Sequence, residues 1–153
     1  MASFFKFVLL GDTKIGKTFI LNNNTNSQTT IGCDIKNITI NNYKNKTIKI
    51  QIWDTPGIEK YRTYKENIYK NSDAIILCYN TNNINSFINL RYYLAEINKY
   101  NNNTNLIILL FAIGDNNNIT QEIATNFANN NKIFFKSCDF SSAVDYILEK
   151  IIK

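Results

Sequence analysis

The residues best suited to chemistry lie near the start of the chain, where glycines flank a lysine and a threonine at a fixed spacing. They follow the pattern G-x-x-x-x-G-K-[ST] and are Gly11, Asp12, Thr13, Lys14, Ile15, Gly16, Lys17 and Thr18. The glycines of such a pattern let backbone N–H groups and a helix N-terminus face phosphates. We therefore expect the Lys17 ammonium to reach the β- and γ-phosphates and the Thr18 hydroxyl to bind Mg²⁺. Lys14 either adds attraction for phosphate or points to solvent. The position between an apolar run and a helical pattern favours a phosphate loop over a turn with an incidental lysine.

Several kinds of chemistry are excluded by the composition. The chain has no histidine, which removes histidine bases, histidine metal ligands and Ser-His or Cys-His pairs. Cys33, Cys78 and Cys138 are odd in number and form no C-x-x-C pair, so neither a disulfide framework nor a zinc site is expected. The 17 lysines and arginines give a net charge of +5 but are spread along the chain, so we expect no nucleic-acid partner. Reduced, cytoplasmic chemistry fits these features.

The elements that must position the loop follow from size and apolar pattern. The 153 residues are 44% hydrophobic and 13% aromatic, which suits a single folded domain over 1–153. Short apolar runs alternate with helical patterns, as is typical of a parallel sheet flanked by helices. Strands are predicted over 4–10, 34–40, 47–53, 74–79, 106–112 and 133–137, and helices over 16–21, 85–100, 120–128 and 141–152.

The connection between the second and third predicted strands sets the topology. Residues 41–46 are few enough for a hairpin, so this pair is expected to be antiparallel and the other strands parallel. We therefore predict an α/β fold with a six-stranded mixed sheet, containing one antiparallel strand, between layers of helices. Two predicted helices have apolar residues at three- and four-residue spacing, which indicates core faces. These residues are Phe87, Leu90, Leu94 and Ile97 in one helix, and Val144, Ile147, Leu148 and Ile151 in the other.

A second motif closes the third predicted strand, where Asp54 and Gly57 form the pattern D-x-x-G. With the phosphate loop, this motif resembles the Ras superfamily of small GTPases, and the Rab subfamily most closely. Further stretches resemble Rab sequences in order along nearly the whole chain: 30–35 resembles TIGVDF, 49–53 KLQIW, 59–63 ERFRT, 69–73 loosely YYRGA, and Ser86-Phe87 an SF pair. The resemblance implies a P-loop small-GTPase fold.

The resemblance also implies ligands and roles. It implies GTP or GDP with Mg²⁺ as cofactors, and effector or regulator proteins of Rab type as partners. Thr30 is expected to coordinate Mg²⁺ and sense the γ-phosphate, Asp54 to bind Mg²⁺ through water, and the Gly57 N–H to contact the γ-phosphate. Taken singly, these residues also suit an ordinary loop position, a strand-end cap and a turn after Pro56.

The sequence departs from the family where GTP is hydrolysed. Ile58 stands where the family has the glutamine that orients the attacking water. An apolar side chain cannot hold water by hydrogen bonds, so intrinsic hydrolysis is expected to be slow or absent, with no certain catalytic residue. Pro56 fixes its own φ and restricts Thr55, which predicts a stiff start to the second switch.

The sequence also departs from the family in the motifs that recognise the guanine base. The family motif N-K-x-D aligns with 112–115, and only Asp115 remains. A carboxylate there accepts from the N1–H and N2–H₂ groups of guanine and disfavours adenine. The family motif S-A-K aligns weakly with Ser137, Cys138 and Asp139. Guanine preference is therefore expected at reduced affinity, while an ordinary loop acid is the alternative for Asp115.

Other departures concern the first switch and membrane attachment. The stretch between Thr18 and Thr30 is shorter than is usual in Rab proteins, so a first switch of the usual wrapping kind is not expected. Ala2 excludes myristoylation, and the last four residues contain no cysteine for prenylation, so no lipid anchor is expected. No apolar run is long enough to span a bilayer. These features favour a soluble, cytoplasmic monomer.

Three hypotheses remain open. The first is a Rab-like GTP-binding protein that acts as a nucleotide-dependent switch with weakened guanine recognition and slow or absent hydrolysis. The second is a pseudo-GTPase that engages Rab partners independently of nucleotide. The third is a P-loop protein that has shifted toward ATP or relaxed its choice of base. The complete phosphate loop favours the first.

Overall fold

The computed structural model describes residues 2–22, 26–30, 33–55, 65–115 and 118–152, with backbone alone at 26–30, 33–34 and 65. The strands in these ranges are β1 (Ala2–Leu10), β2 (Asn26–Thr30), β3 (Cys33–Tyr43), β4 (Lys46–Asp54), β5 (Ala74–Asn80), β6 (Ile107–Ile113) and β7 (Phe134–Phe135). The helices are α1 (Lys17–Asn22), α2 (Lys65–Tyr69), α3 (Ile84–Ile88), α4 (Leu90–Tyr100), α5 (Gln121–Asn130) and α6 (Phe140–Ile151). None of the helices in the described ranges is long and apolar enough to cross a membrane.

All the strands join one sheet in the order β2-β3-β4-β1-β5-β6-β7. β3 runs antiparallel to both of its neighbours, and the pairs β4-β1, β1-β5, β5-β6 and β6-β7 are parallel. The β3-β4 hairpin turns at Lys44 and Asn45, both with positive φ, as favoured two-residue hairpin turns require. The predicted α/β fold, with a mixed sheet and one antiparallel strand between helices, is confirmed.

The structure extends the predicted sheet by one strand. β2, with the sequence NSQTT, pairs antiparallel with β3 at the sheet edge and was not predicted. It has no alternating apolar side chains, so its place depends on backbone pairing with β3, which leaves no apolar signal in the sequence. The short helix α2 was likewise not predicted, since five residues are too few to show a helical period.

Most predicted elements differ from the structure by one to three residues at an end, and two differ more substantially. The helix predicted over 85–100 is divided at Asn89 into α3 and α4, and the Asn83 side chain caps α3 by accepting from the Ser86 N–H. The strand predicted over 133–137 is limited to β7, which leaves Ser137 in the following loop. Neither change alters the order of the elements.

The sheet is covered on both faces, as parallel sheets require. Along β1 the side chains alternate between two cores: Phe7 and Leu9 pack with α6, whereas Val8 and Leu10 pack with α4 and α5. The predicted helical stripes lie in these cores. Their buried members are Leu90, Leu94 and Ile97 in α4, and Val144, Ile147 and Leu148 in α6.

The parallel strands bring one set of polar residues to a single edge. β1 ends at Leu10 immediately before Gly11, β4 ends at Asp54, and β5 ends at Asn80. Asp54 lies opposite Leu9 in the register of β1 and β4. Ligand sites of α/β proteins lie beyond the carboxyl ends of the strands, so this edge is where a site is expected.

The packing of α6 on the sheet gives a first prediction. Ile147 is fully buried between α6 and the sheet, so Ile147→Ala leaves a cavity and should lower the free energy of unfolding by about 2–5 kcal/mol. Ile123→Ala is the matched control because Ile123 is 46% exposed, and it should change that free energy by less than about 0.5 kcal/mol. Urea unfolding followed by circular dichroism measures both, and equal losses in the two variants would contradict the packing.

Candidate functional site

The predicted phosphate loop connects β1 to α1 and is pressed against β5. Gly11 has φ +149°, and a Cβ at this position would lie 2.5 Å from the backbone oxygen of Cys78. Such a contact is shorter than any side chain tolerates, so only glycine lets the loop leave β1 along this path. Cys78 itself is fully buried, and burial raises the pKa of its thiol to about 12, so it stays a neutral part of the core.

The Lys17 ammonium lies at the centre of the loop. Lys17 is only 5% exposed, and its Nζ donates to the backbone oxygens of Gly11 and, at 2.8 Å, of Asp12. Burial lowers the pKa of Lys17, while the nearby Asp54 and Asp12 carboxylates favour its charged form. The loop therefore holds a cation in a fixed place, as binding of phosphate requires.

Thr18 and Asp54 meet beside this cation. The Thr18 hydroxyl donates to the Asp54 Oδ2 at 2.7 Å, and Asp54 is 2% exposed. Within the described ranges, no group of three or more His, Cys, Asp or Glu residues could hold a metal. A hydroxyl and a carboxylate nevertheless fit Mg²⁺, which takes oxygen ligands and is commonly held by one or two protein groups together with phosphates and water.

The Asp12 side chain joins the loop to the helical layer. Its Oδ2 accepts from the Asn89 Nδ2 at 2.7 Å, and its Oδ1 accepts from the Tyr93 hydroxyl at 2.6 Å. Both donors come from the start of α4. The Asp12 carboxylate therefore anchors the loop, and only its backbone remains available to the phosphate role predicted for it.

Asn80 supports the loop from the sheet. Its Nδ2 donates to the backbone oxygen of Ile15 at 2.8 Å, which ties the loop to the end of β5. Sequence reasoning missed Asn80, Asn89 and Tyr93. Only Asn80 had a usable signal, because it is the first polar residue after a buried apolar run, at the carboxyl end of a parallel strand.

The residues predicted to read the base lie farther along the same edge. Asp115 is exposed and follows β6, while Ser137 is exposed and Cys138 half-buried between β7 and α6. The Ser137 hydroxyl accepts from the Gln121 Nε2 at 3.1 Å. Asp139, which replaces the family lysine, caps α6 by accepting from the Ser142 N–H, and this hydrogen bonding lowers the pKa of Asp139. The Asp139 carboxylate therefore stabilises the N-terminus of α6.

The remaining predicted residues are less fully described. Thr30 ends β2 opposite Cys33, and the register of β3 on β4 puts Asp34 opposite Asp54. Thr30 therefore lies at the Asp54 end of the sheet with β3 between them, and its metal role stays a prediction. Pro56, Gly57 and Ile58 lie outside the described residues.

Comparison with known proteins shows similarity over most of the chain. A model of the Ras family matches residues 6–153. The Ras-related protein Rab-1D of Dictyostelium discoideum is 39% identical over 103 residues, which are 63% of this chain and 50% of that protein. The Ras-related protein RABD1 of Arabidopsis thaliana is 36% identical over 123 residues (76% and 58%), and the GTP-binding protein YPT1 of Saccharomyces cerevisiae is 34% identical over 140 residues (86% and 68%). The chain spans about half to two thirds of the length of these relatives.

The backbone of the loop gives a second prediction. Substitutions at two of its positions should change the free energy of unfolding in opposite directions. Gly11→Ala should lower the free energy of unfolding by about 2 kcal/mol or more, because the new Cβ meets the Cys78 backbone at a left-handed φ. Lys14 is exposed and also has a left-handed φ, +62°, so Lys14→Gly should raise that free energy by about 1 kcal/mol. Urea unfolding of the two variants tests both, and a shift of the same sign would contradict this loop geometry.

Proposed function

The chain belongs to the Ras family and is a Rab-like small GTPase of the Ras superfamily, and we propose that it acts as a guanine-nucleotide-binding switch. The observation that carries the proposal is the phosphate loop, in which Lys17 is buried at the centre and the Thr18 hydroxyl lies 2.7 Å from an Asp54 oxygen. Members of this family generally bind GTP or GDP with Mg²⁺. The loop therefore has the cation and oxygen ligands that these cofactors need.

The proposed roles of Lys17, Thr18 and Asp54 rest on their positions, and those of Thr30 and Gly57 on the family resemblance. Lys17 neutralises the β- and γ-phosphates, and backbone N–H groups of 11–18 face them. Thr18 and Asp54 hold Mg²⁺, with Thr30 as a third candidate ligand and Gly57 as a backbone contact to the γ-phosphate. When bound, Mg²⁺ would supply positive charge to the phosphates, and the Thr18 and Asp54 oxygens would hold it beside the Lys17 ammonium. Rab-type effector and regulator proteins are the proposed partners, as in the family generally.

Guanine recognition is proposed to be weak. Asp115 is exposed at the carboxyl edge of the sheet and can accept from the N1–H and N2–H₂ groups of guanine. Ala112 and Ile113 stand where the family has a polar pair, and their half-buried apolar side chains offer no hydrogen bonds to a base. Preference for guanine then depends on the Asp115 carboxylate. Ser137 and Cys138 follow β7, which is the strand next to β6 in the sheet.

A pseudo-GTPase that engages Rab partners without regard to nucleotide is the second candidate. The anchoring of the loop favours this candidate. The Asp12 side chain is hydrogen-bonded to Asn89 and Tyr93, and the Ile15 backbone oxygen accepts a hydrogen bond from Asn80. These protein contacts fix the loop shape by themselves, so a Rab-like surface does not require a ligand to hold it. A protein with relaxed base choice or a preference for ATP is the third candidate, and the loss of the polar pair at Ala112 and Ile113 favours it.

Nucleotide content is the third prediction and tests the switch directly. Protein purified in Mg²⁺ and then denatured should release close to one guanine nucleotide per chain, identified by chromatography. Lys17→Ala should reduce the content to near zero because it removes the buried cation of the loop. Lys46→Ala, which removes an exposed lysine from the opposite end of the sheet, is the control and should keep the nucleotide.

The outcomes separate the three candidates. Folded protein that stays empty after incubation with GTP, and that binds a Rab partner equally well with Lys17→Ala, supports the pseudo-GTPase. Adenine nucleotide as the main product supports the third candidate. Guanine nucleotide lost only in Lys17→Ala supports the switch.

Hydrolysis gives the fourth prediction, which rests on the sequence at Ile58. Wild-type protein should hydrolyse GTP slowly or not at all, because an isoleucine cannot orient the attacking water. Ile58→Gln should raise the single-turnover rate by roughly tenfold or more, and Ile58→Leu, which is equally apolar, should not. Equal rates in the three proteins, measured as phosphate release at saturating GTP, would show that this position does not limit hydrolysis.

A further inference from the structure

Phe19 is a large apolar side chain with no place in either core. It lies in the first turn of α1 and is 70% exposed. Single exposed hydrophobic residues are common, so exposure alone indicates nothing. Its position is more informative, because Phe19 lines a groove of about 350 Å³ together with Lys14, Lys17 and Thr18 of the phosphate loop.

The direction of the helix points the ring toward the loop. The Ile20 N–H donates to the Gly16 oxygen at 3.1 Å, so the helical turn includes Gly16. Side chains of a helix lean toward its N-terminus, and here that end is the phosphate loop. The Phe19 side chain is therefore expected to lean toward the phosphate loop, in agreement with its place in the lining of the groove.

The same turn adjoins the strand that carries Asp115. A Cβ at Gly16 would lie 3.2 Å from the Ile113 Cγ2, so the end of β6 touches the start of α1. Asp115 follows Ile113 by two residues, which places their Cα atoms within about 8 Å of each other. Residues three apart on a helix share a face, so Phe19 lies on the same side of α1 as Gly16. Phe19 thus lies on the side of α1 that faces the end of β6, the strand that Asp115 follows.

The groove and the nearby end of β6 together carry groups that a purine nucleotide would contact. Lys17 and Thr18 would contact the phosphates, Asp115 offers hydrogen bonds in the plane of the base, and an aromatic ring offers a contact to its face. We propose that Phe19 stacks on the purine base of the bound nucleotide and supplies affinity that the apolar Ala112 and Ile113 do not. This inference rests on the proposed function, since it assumes that a nucleotide occupies the loop.

Stacking predicts a distinctive pattern of affinities. Aromatic stacking accepts any purine, because every base has a π face, whereas Asp115 distinguishes guanine from adenine. Loss of the Phe19 ring should therefore weaken the binding of GDP and of ADP by the same factor and leave the ratio of their two Kd values unchanged. Inorganic pyrophosphate, which has no base, should be unaffected.

The experiment uses the nucleotide-free protein of 153 residues in Mg²⁺ and measures the Kd of GDP, ADP and pyrophosphate by calorimetry. Phe19→Ala should weaken GDP and ADP binding by roughly tenfold. Phe19→Trp, which keeps an aromatic face, should restore both affinities. Phe4→Ala is the matched control because Phe4 is 71% exposed, near the end of β1 farthest from the loop, and it should change nothing.

Each result decides the inference. Because Phe19 is so exposed, Phe19→Ala should fold normally, and thermal unfolding checks this. Wild-type binding of GDP that is unchanged in Phe19→Ala, or pyrophosphate affinity that falls in parallel, overturns the stacking and leaves the proposed function standing. No GDP binding by the wild-type protein overturns the proposed function and the stacking with it. An upfield shift of the purine H8 resonance that is present in wild type and lost in Phe19→Ala supports the stacking.

Discussion

The close approach of the Gly11 backbone to β5 is the constraint on which the rest of the site depends. A single methyl group at this position would meet the Cys78 oxygen at 2.5 Å, so the chain can leave β1 along this path only without a side chain. The path lets the loop turn back on itself and brings the Gly11 and Asp12 oxygens to the Lys17 ammonium. The buried cation, and the Thr18 hydroxyl beside Asp54, follow from that turn.

The loop is held by the fold as well as by its own sequence. Asn80 reaches it from β5, and Asn89 and Tyr93 reach it from the start of α4. These hydrogen bonds involve charged or partly buried groups, which makes each of them costly to break. A phosphate site needs backbone donors in fixed positions, and contacts of this kind provide that rigidity before any ligand binds.

The two halves of the proposed nucleotide site differ in completeness. The phosphate half retains the buried Lys17, and its Thr18 is hydrogen-bonded to Asp54. The base half retains Asp115 and replaces the family's polar pair with Ala112 and Ile113. Phosphate binding depends on charge and on backbone N–H groups, which survive many side-chain substitutions nearby. Recognition of the base depends on hydrogen bonds from particular side chains. The proposed function therefore has this protein bind nucleotide chiefly through its phosphates.

The sequence by itself determined the order of the predicted elements, the antiparallel hairpin, both helical core faces and the place of the glycine-rich loop between β1 and α1, because periodicity and short motifs are local properties. The sequence did not predict the polar edge strand β2, because backbone hydrogen bonds to β3, not apolar side chains, hold it in the sheet. Only the tertiary structure decided which side chains support the loop. Asn80, Asn89 and Tyr93 contact residues 65, 77 and 81 positions away along the chain, and a sequence pattern does not show which residues meet over such separations.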